Sequence, residues 1–109
     1  MKKPPIAIIA TPELANYINS LKAGSYIERI ITEAKAELAE NMFAGQSVSK
    51  KQIPKYYIIA YGVNNLYVFD LDESSRLIYT LISNNLGICV ACLEIFLSHK
   101  DYERRFRYS

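Results

Sequence analysis

The densest run of side chains able to bind or transform an anionic substrate lies at the end of the chain: His99, Lys100, Asp101, Tyr102, Glu103, Arg104, Arg105, Phe106, Arg107 and Tyr108. Four Lys/Arg stand there against two acids, interleaved with aromatic rings, and Lys50, Lys51 and Lys55 add three cations without an intervening acid. Cations that hold phosphates beside rings that stack on unpaired bases are what single-stranded RNA binding requires. A basic surface built from these two segments is therefore one expectation, and a solvated basic terminus is the plainer alternative. His99 is the only histidine, the residue type suited to carrying protons near neutral pH; a strand-end histidine bonded to backbone is the other reading. Cys89 and Cys92 sit inside an apolar run. An offset of three places them on opposite faces of a strand, whereas a redox pair needs a helix start to bring the sulfurs together. Two cysteines also fall short of a four-ligand zinc site. Both are expected to be buried thiols, with no metal and no cofactor. Glu94, an acid in the same run, is expected to pair with an arginine or to face solvent.

These residues must be positioned by a short series of elements. Ile6–Ala10 reads as an edge strand, since Pro4 and Pro5 remove two donors before it. Thr11 and Pro12 form a helix start, and Leu14, Tyr17, Ile18 and Leu21 repeat with helical period. After Gly24, Ser25 and Glu28 form a capping box opening a second helix with Ile27, Ile30, Ile31, Ala34, Leu38 and Met42 on one stripe. The two helices should form a hairpin. Gly45–Pro54 reads as a polar loop, and four strands are expected over Tyr56–Tyr61, Leu66–Leu71, Leu77–Ile82 and Ile88–Leu97. Short turn-type clusters separate them, which allows only antiparallel neighbours. The expected fold is α+β: an N-terminal strand and an α-helical hairpin packed on a four-stranded antiparallel β-meander, in a single domain over 1–109.

Composition narrows the function classes only a little. Half the residues are hydrophobic and 22% are charged, which excludes wholesale disorder. No apolar run approaches the ~20 residues that cross a bilayer, and the basic start, Met1-Lys2-Lys3, precedes too short an apolar stretch for a signal peptide. Reduced thiols agree with a cytoplasmic location. The net charge of +2 averages unlike segments, because the second helix carries four Glu against two Lys/Arg while the loop and the C-terminal run are basic. Nine tyrosines and no tryptophan suit strands with one wet end.

Tyr67-Val68-Phe69-Asp70-Leu71, then Arg76-Leu77-Ile78-Tyr79, then an apolar strand ending in His99-Lys100-Asp101-Tyr102-Glu103-Arg104 together resemble the RelE/HigB group of toxins from type II toxin–antitoxin systems. The Arg-Leu-Ile-Tyr strand is similar to the group's arginine-bearing central strand, and the His-Lys-Asp-Tyr-Glu-Arg run to the ending of HigB-type members. The order of strand, helical hairpin, meander and short C-terminal tail also matches, so the resemblance covers nearly the whole chain and implies a RelE-like fold. It implies an endoribonuclease, an mRNA interferase that cuts mRNA in the ribosomal A site by attack of the ribose 2′-hydroxyl on the adjacent phosphate and so inhibits translation. Such a reaction needs a base, a cation for the phosphorane oxygens and an acid for the leaving oxygen.

By the same resemblance Arg76 is the phosphate-binding arginine, Tyr102 the catalytic tyrosine, Asp101 its acidic neighbour and His99 the head of the motif. Lys50, Lys51, Lys55, Arg104 and Arg105 are the expected RNA-binding cations, from the basic character of the loop and the C-terminal run rather than from the resemblance. The lysines that RelE carries on the preceding strand are replaced here by Tyr67 and Phe69. A loop lysine approaches the site instead, another group serves as base, or the fold is a catalytically silent RNA-binding or regulatory module. A generic α+β protein with chance motif matches is a third reading. The implied partners are mRNA on the ribosome and a cognate antitoxin protein. An open strand edge could also pair with a second copy in a homodimer.

Overall fold

A computed structural model describes residues 2–107. The chain runs β1 (Ala7–Ala10), α1 (Pro12–Ser20), α2 (Tyr26–Glu40), β2 (Gln46–Ser47), a 3-10 turn (Lys50–Gln52), α3 (Lys55–Tyr61), β3 (Tyr67–Asp70), β4 (Arg76–Asn84), β5 (Gly87–Phe96) and α4 (His99–Arg107). The strands form one mixed sheet in the order β1-β5-β4-β3-β2. β1 is an edge strand, as the two prolines dictate, and runs parallel to β5 with Ala7 opposite Cys89 and Ala10 opposite Cys92. β2 to β5 pair in antiparallel sequence. The fold is α+β.

The N-terminal helices follow from their caps. Thr11 Oγ1 accepts from Leu14 N–H at 3.2 Å with Pro12 in the first turn. Ser25 Oγ accepts from Glu28 N–H at 3.3 Å. The reciprocal half of the expected box is displaced by one residue: Glu28 Oε1 accepts from Gly24 N–H, at 2.9 Å. Leu14 of α1 and Ala34 and Leu38 of α2 join Met42, Phe69, Leu77, Tyr79, Val90 and Cys92 in a core on one face of the sheet. Leu77, Tyr79 and Leu81 share that face, as a period of two requires.

Two sequence expectations are corrected on the other face. Tyr56–Tyr61 is not a strand but lies within α3. Its Tyr/Ile composition suits a strand, yet helical geometry buries Tyr57 completely while leaving Ile59 83% exposed, and Gly62 at φ +65° ends the helix. The loss of that strand leaves β4 and β5 as the long antiparallel pair, with the four residues of β3 and the two of β2 added beside β4. The C-terminal run is not a tail but the helix α4, whose Tyr102 and Phe106, spaced i,i+4, pack on Ile53, Tyr57, Leu66, Val68, Ile78, Leu93 and Phe96. Tyr108, counted among its aromatics, and Met1 lie outside the described residues. The sheet is thus covered by α1 and α2 on one side and by α3 and α4 on the other.

A bulge in β5 decides where Glu94 goes. Ile78 pairs with Glu94 and Tyr79 with Cys92, so Leu93 has no opposite residue. Strict alternation from Cys92 would send Glu94 into the first core. The extra residue turns it to the second face, where it accepts from Tyr57 Oη at 2.7 Å and pairs with Arg105 Nη2 at 2.9 Å. Burial and the Glu94 contact push the Tyr57 phenol well above its ordinary value.

Gly45 is needed where the chain crosses Tyr79. Tyr79 Oη donates to Met42 C=O at 2.8 Å and accepts from Gly45 N–H at 2.9 Å. A Cβ at Gly45 would stand 2.8 Å from that hydroxyl and 2.9 Å from Val68 C=O. Gly45→Ala is therefore expected to destabilise the fold by about 1–3 kcal/mol. Urea unfolding would show a lower midpoint at unchanged slope, and an unshifted midpoint would contradict this packing.

Candidate active site

Arg76 is the first residue of β4 and alternates away from Leu77 and Tyr79 toward the second face. The turn before it is built by Asp72, whose Oδ1 accepts from Ser74 N–H at 3.0 Å and Ser75 N–H at 2.7 Å. Tyr26 Oη donates to Asp72 Oδ2 at 2.8 Å. These donors, the Tyr26 hydroxyl first, hold the Asp72 carboxyl below its ordinary range. The same turn grips the arginine. Its Nη1 donates to the carbonyls of Asp72 (3.0 Å), Glu73 (3.3 Å) and Ser75 (3.1 Å). Its Nε lies 2.9 Å from Asp70 Oδ1. Nη2 makes no hydrogen bond among the described residues, so two of the three guanidinium nitrogens are engaged and the third is left to donate.

Tyr102 is positioned by α4. Ser98 Oγ caps that helix by accepting from Asp101 N–H at 3.1 Å. The Tyr102 ring packs tilted against Phe106, centres 4.7 Å apart, and meets Phe96 edge-on at 6.2 Å. Arg105, on the neighbouring side of α4, anchors the helix through Glu94 and lies 3.6 Å above the Tyr56 ring. The Arg76 guanidinium is 5.7 Å from the centre of the Tyr102 ring. Burial raises the Tyr102 phenol above its ordinary value, with the Asp70 carboxylate adding to the shift and the Arg76 charge opposing it. The phenol is thus held protonated, as a proton donor.

A third wall comes from the loop after β2. Val48 N–H donates to Leu66 C=O at 2.9 Å, and Gln52 N–H to Ser49 C=O at 2.9 Å, which shapes the 3-10 turn and brings Lys51 over the sheet. Between these walls lies an open cleft of about 600 Å³ whose polar lining includes Gln46, Lys51, Gln52, Asp70, Arg76 and Tyr102. Two cations, one carboxylate and one protonated phenol in a cleft of that size can hold a phosphodiester and exchange protons with its substituents.

The residues singled out from sequence divide unevenly. Arg76, Tyr102 and Lys51 line the cleft; Lys50, Lys55 and Asp101 are exposed and do not line it. His99 stands 6.1 Å from the Tyr102 ring, centre to centre, but its Nε2 is 2.7 Å from Glu103 Oε1 on the outer side of α4. With Lys100, Glu103, Arg104 and Arg107 it forms a separate shallow surface. Arg105 is committed to Glu94 and Tyr56 in the packing of α4. Cys89 and Cys92 are free thiols, Cys92 buried and Cys89 half-buried. Burial pushes the Cys92 thiol up to about 11. No cluster of three metal-ligating side chains occurs among the described residues, and no helix among them is long and apolar enough to cross a membrane.

Sequence reasoning overlooked Asp70, Gln46 and Gln52. For Asp70 a signal existed. An acid and an arginine closing a short turn between two strands stand opposite one another, and the register pairs Asp70 with Arg76. The same alternation turns Tyr67 and Phe69 into the first core, so the face of β3 toward the cleft is Val68 and Asp70. Comparison of the chain with protein-family models, with curated proteins and with solved structures finds no match.

Proposed function

We propose that this chain is a RelE/HigB-type toxin, a ribosome-dependent mRNA endoribonuclease that cleaves by attack of a ribose 2′-hydroxyl on the adjacent phosphate. The observation that carries the reading is the meeting of Arg76, Tyr102 and Lys51, drawn from three separate stretches of sequence, on one open cleft. The unengaged Nη2 of Arg76 suits a phosphate oxygen, and Lys51 adds a second cation. The Tyr102 phenol is a proton donor for the leaving 5′-oxygen, and the Phe106 ring that lines the cleft gives an unpaired base an apolar surface. In this reading the exposed cations of α4, including Arg104, contact RNA outside the cleft. The partners are mRNA on cytoplasmic ribosomes and an antitoxin protein that covers the cleft. The outer edge of β1 is open to a second copy.

A second reading, RNA binding without cleavage, is favoured by one observation: no cation from β3 enters the cleft, since Tyr67 and Phe69 turn away from it. Ribosomes programmed with a short mRNA separate the two. The nuclease cuts the message at the A-site codon and arrests growth when expressed. Tight binding with intact message and normal growth would contradict the nuclease and leave the binding module.

A further inference from the structure

The polar lining of the cleft leaves the proton acceptor unassigned, and the structure restricts the choice. Four of its lining residues titrate: Lys51, Asp70, Arg76 and Tyr102. An ammonium and a guanidinium offer donors and no acceptor, and the Tyr102 phenol is held protonated. Among the described residues Asp70 is the only carboxylate lining the cleft. Its Oδ1 is occupied by Arg76 Nε at 2.9 Å, while Oδ2 has no partner among the described residues and the side chain is 73% exposed. Its neighbour across the ladder is the residue that would hold the phosphate.

We propose that Asp70 is the general base of this site, an assignment that rests on the nuclease reading above. Asp70 Oδ2 takes the proton of the 2′-hydroxyl as the 2′-oxygen forms its bond to phosphorus. The bond from phosphorus to the 5′-oxygen breaks, and that oxygen takes the proton of the Tyr102 phenol. The products are a 2′,3′-cyclic phosphate and a 5′-hydroxyl. Tyr102 and Asp70 are left as phenolate and carboxylic acid, and exchange with water restores both. The pair with Arg76 fixes the carboxylate against the phosphate site, which is the geometry general-base catalysis requires.

Asp70→Asn tests this, because the amide oxygen can still accept from Arg76 Nε while the proton acceptor is lost. Cleavage and binding of a short single-stranded RNA on programmed ribosomes would be followed against pH. The variant is expected to cleave about 10²–10⁴-fold more slowly, to bind RNA within about threefold of wild type, and to lose the acidic limb of the rate profile. Asp70→Glu, which keeps a carboxylate, should recover part of the rate. Wild-type cleavage matched by equal cleavage in Asp70→Asn overturns the base and leaves the nuclease reading standing. Loss of binding in step with activity also overturns it, by showing a structural role. A wild-type protein that binds RNA and never cuts it overturns the nuclease reading and the base with it.

Discussion

Replacing Arg76 by alanine is expected to slow RNA cleavage by about 10²–10³-fold, the effect typical of removing one donor to a developing oxyanion. In the proposed reaction the free Nη2 is the group at stake, since attack at phosphorus would gather charge on the non-bridging oxygens. Arg76 also ties down the carbonyls of Asp72, Glu73 and Ser75, so the alanine variant loosens the β3–β4 turn as well. Arg76→Lys distinguishes the two roles. A lysine restores the charge but not the planar guanidinium that engages the turn and Asp70 with two nitrogens and leaves the third for phosphate. A rate that stays low in both variants under conditions where each is fully folded would assign the loss to the guanidinium rather than to the loosened turn. Unimpaired cleavage by Arg76→Ala in single-turnover assays would remove the arginine from the reaction.

Removing a single oxygen from Tyr102 should cost a comparable amount. Tyr102→Phe keeps the ring that packs between Phe96 and Phe106 and deletes only the phenol proton. The hydroxyl makes no hydrogen bond among the described residues, so the melting temperature should hold within a few degrees. Cleavage should fall by about 10²–10⁴-fold. Because burial is the leading cause of the raised Tyr102 value, the donor stays protonated through neutral pH and above. A leaving group that needs no proton, such as a 5′-thiolate, should restore most of the lost rate. Absence of that rescue would show that Tyr102 shapes the cleft rather than feeding it a proton.

The parts of the fold legible in the sequence are those set by local chemistry. Pro4 and Pro5 force an edge, Thr11 and Ser25 supply helix caps, and the alternation in β4 divides Leu77 and Tyr79 from Arg76. The segment Tyr56–Tyr61 misleads because its residues favour strands, and burial of Tyr57 beneath α4 overrides that preference. Its punctuation, Pro54 before and Gly62 after, matched a helix all along. The helix α4 is hidden by its charge, since only Tyr102 and Phe106 mark its buried side. The bulge at Leu93 leaves no trace in composition, yet it decides that Glu94 faces Arg105 and so fixes the helix that carries Tyr102.

The candidate site was legible as two residues and not as a cleft. Arg76 and Tyr102 stand out in the sequence only through the family resemblance of their motifs, and Lys51 cannot be preferred over Lys50 or Lys55 without the 3-10 turn that aims it. Asp101 and His99 flank Tyr102 closely in sequence, and helical geometry then carries them out of the cleft. Asp70 has no partner visible in the sequence until the strand register sets it opposite Arg76.

The most direct test of the central claim is the chemistry of the ends produced when the wild-type protein acts on a ribosome-bound mRNA. Mass spectrometry of the fragments should show a 2′,3′-cyclic phosphate upstream and a 5′-hydroxyl downstream. A message with a single 2′-deoxy sugar at the cut site should remain whole. Fragments bearing a 3′-hydroxyl and a 5′-phosphate, cleavage of the 2′-deoxy message, or no cleavage of either would contradict the account.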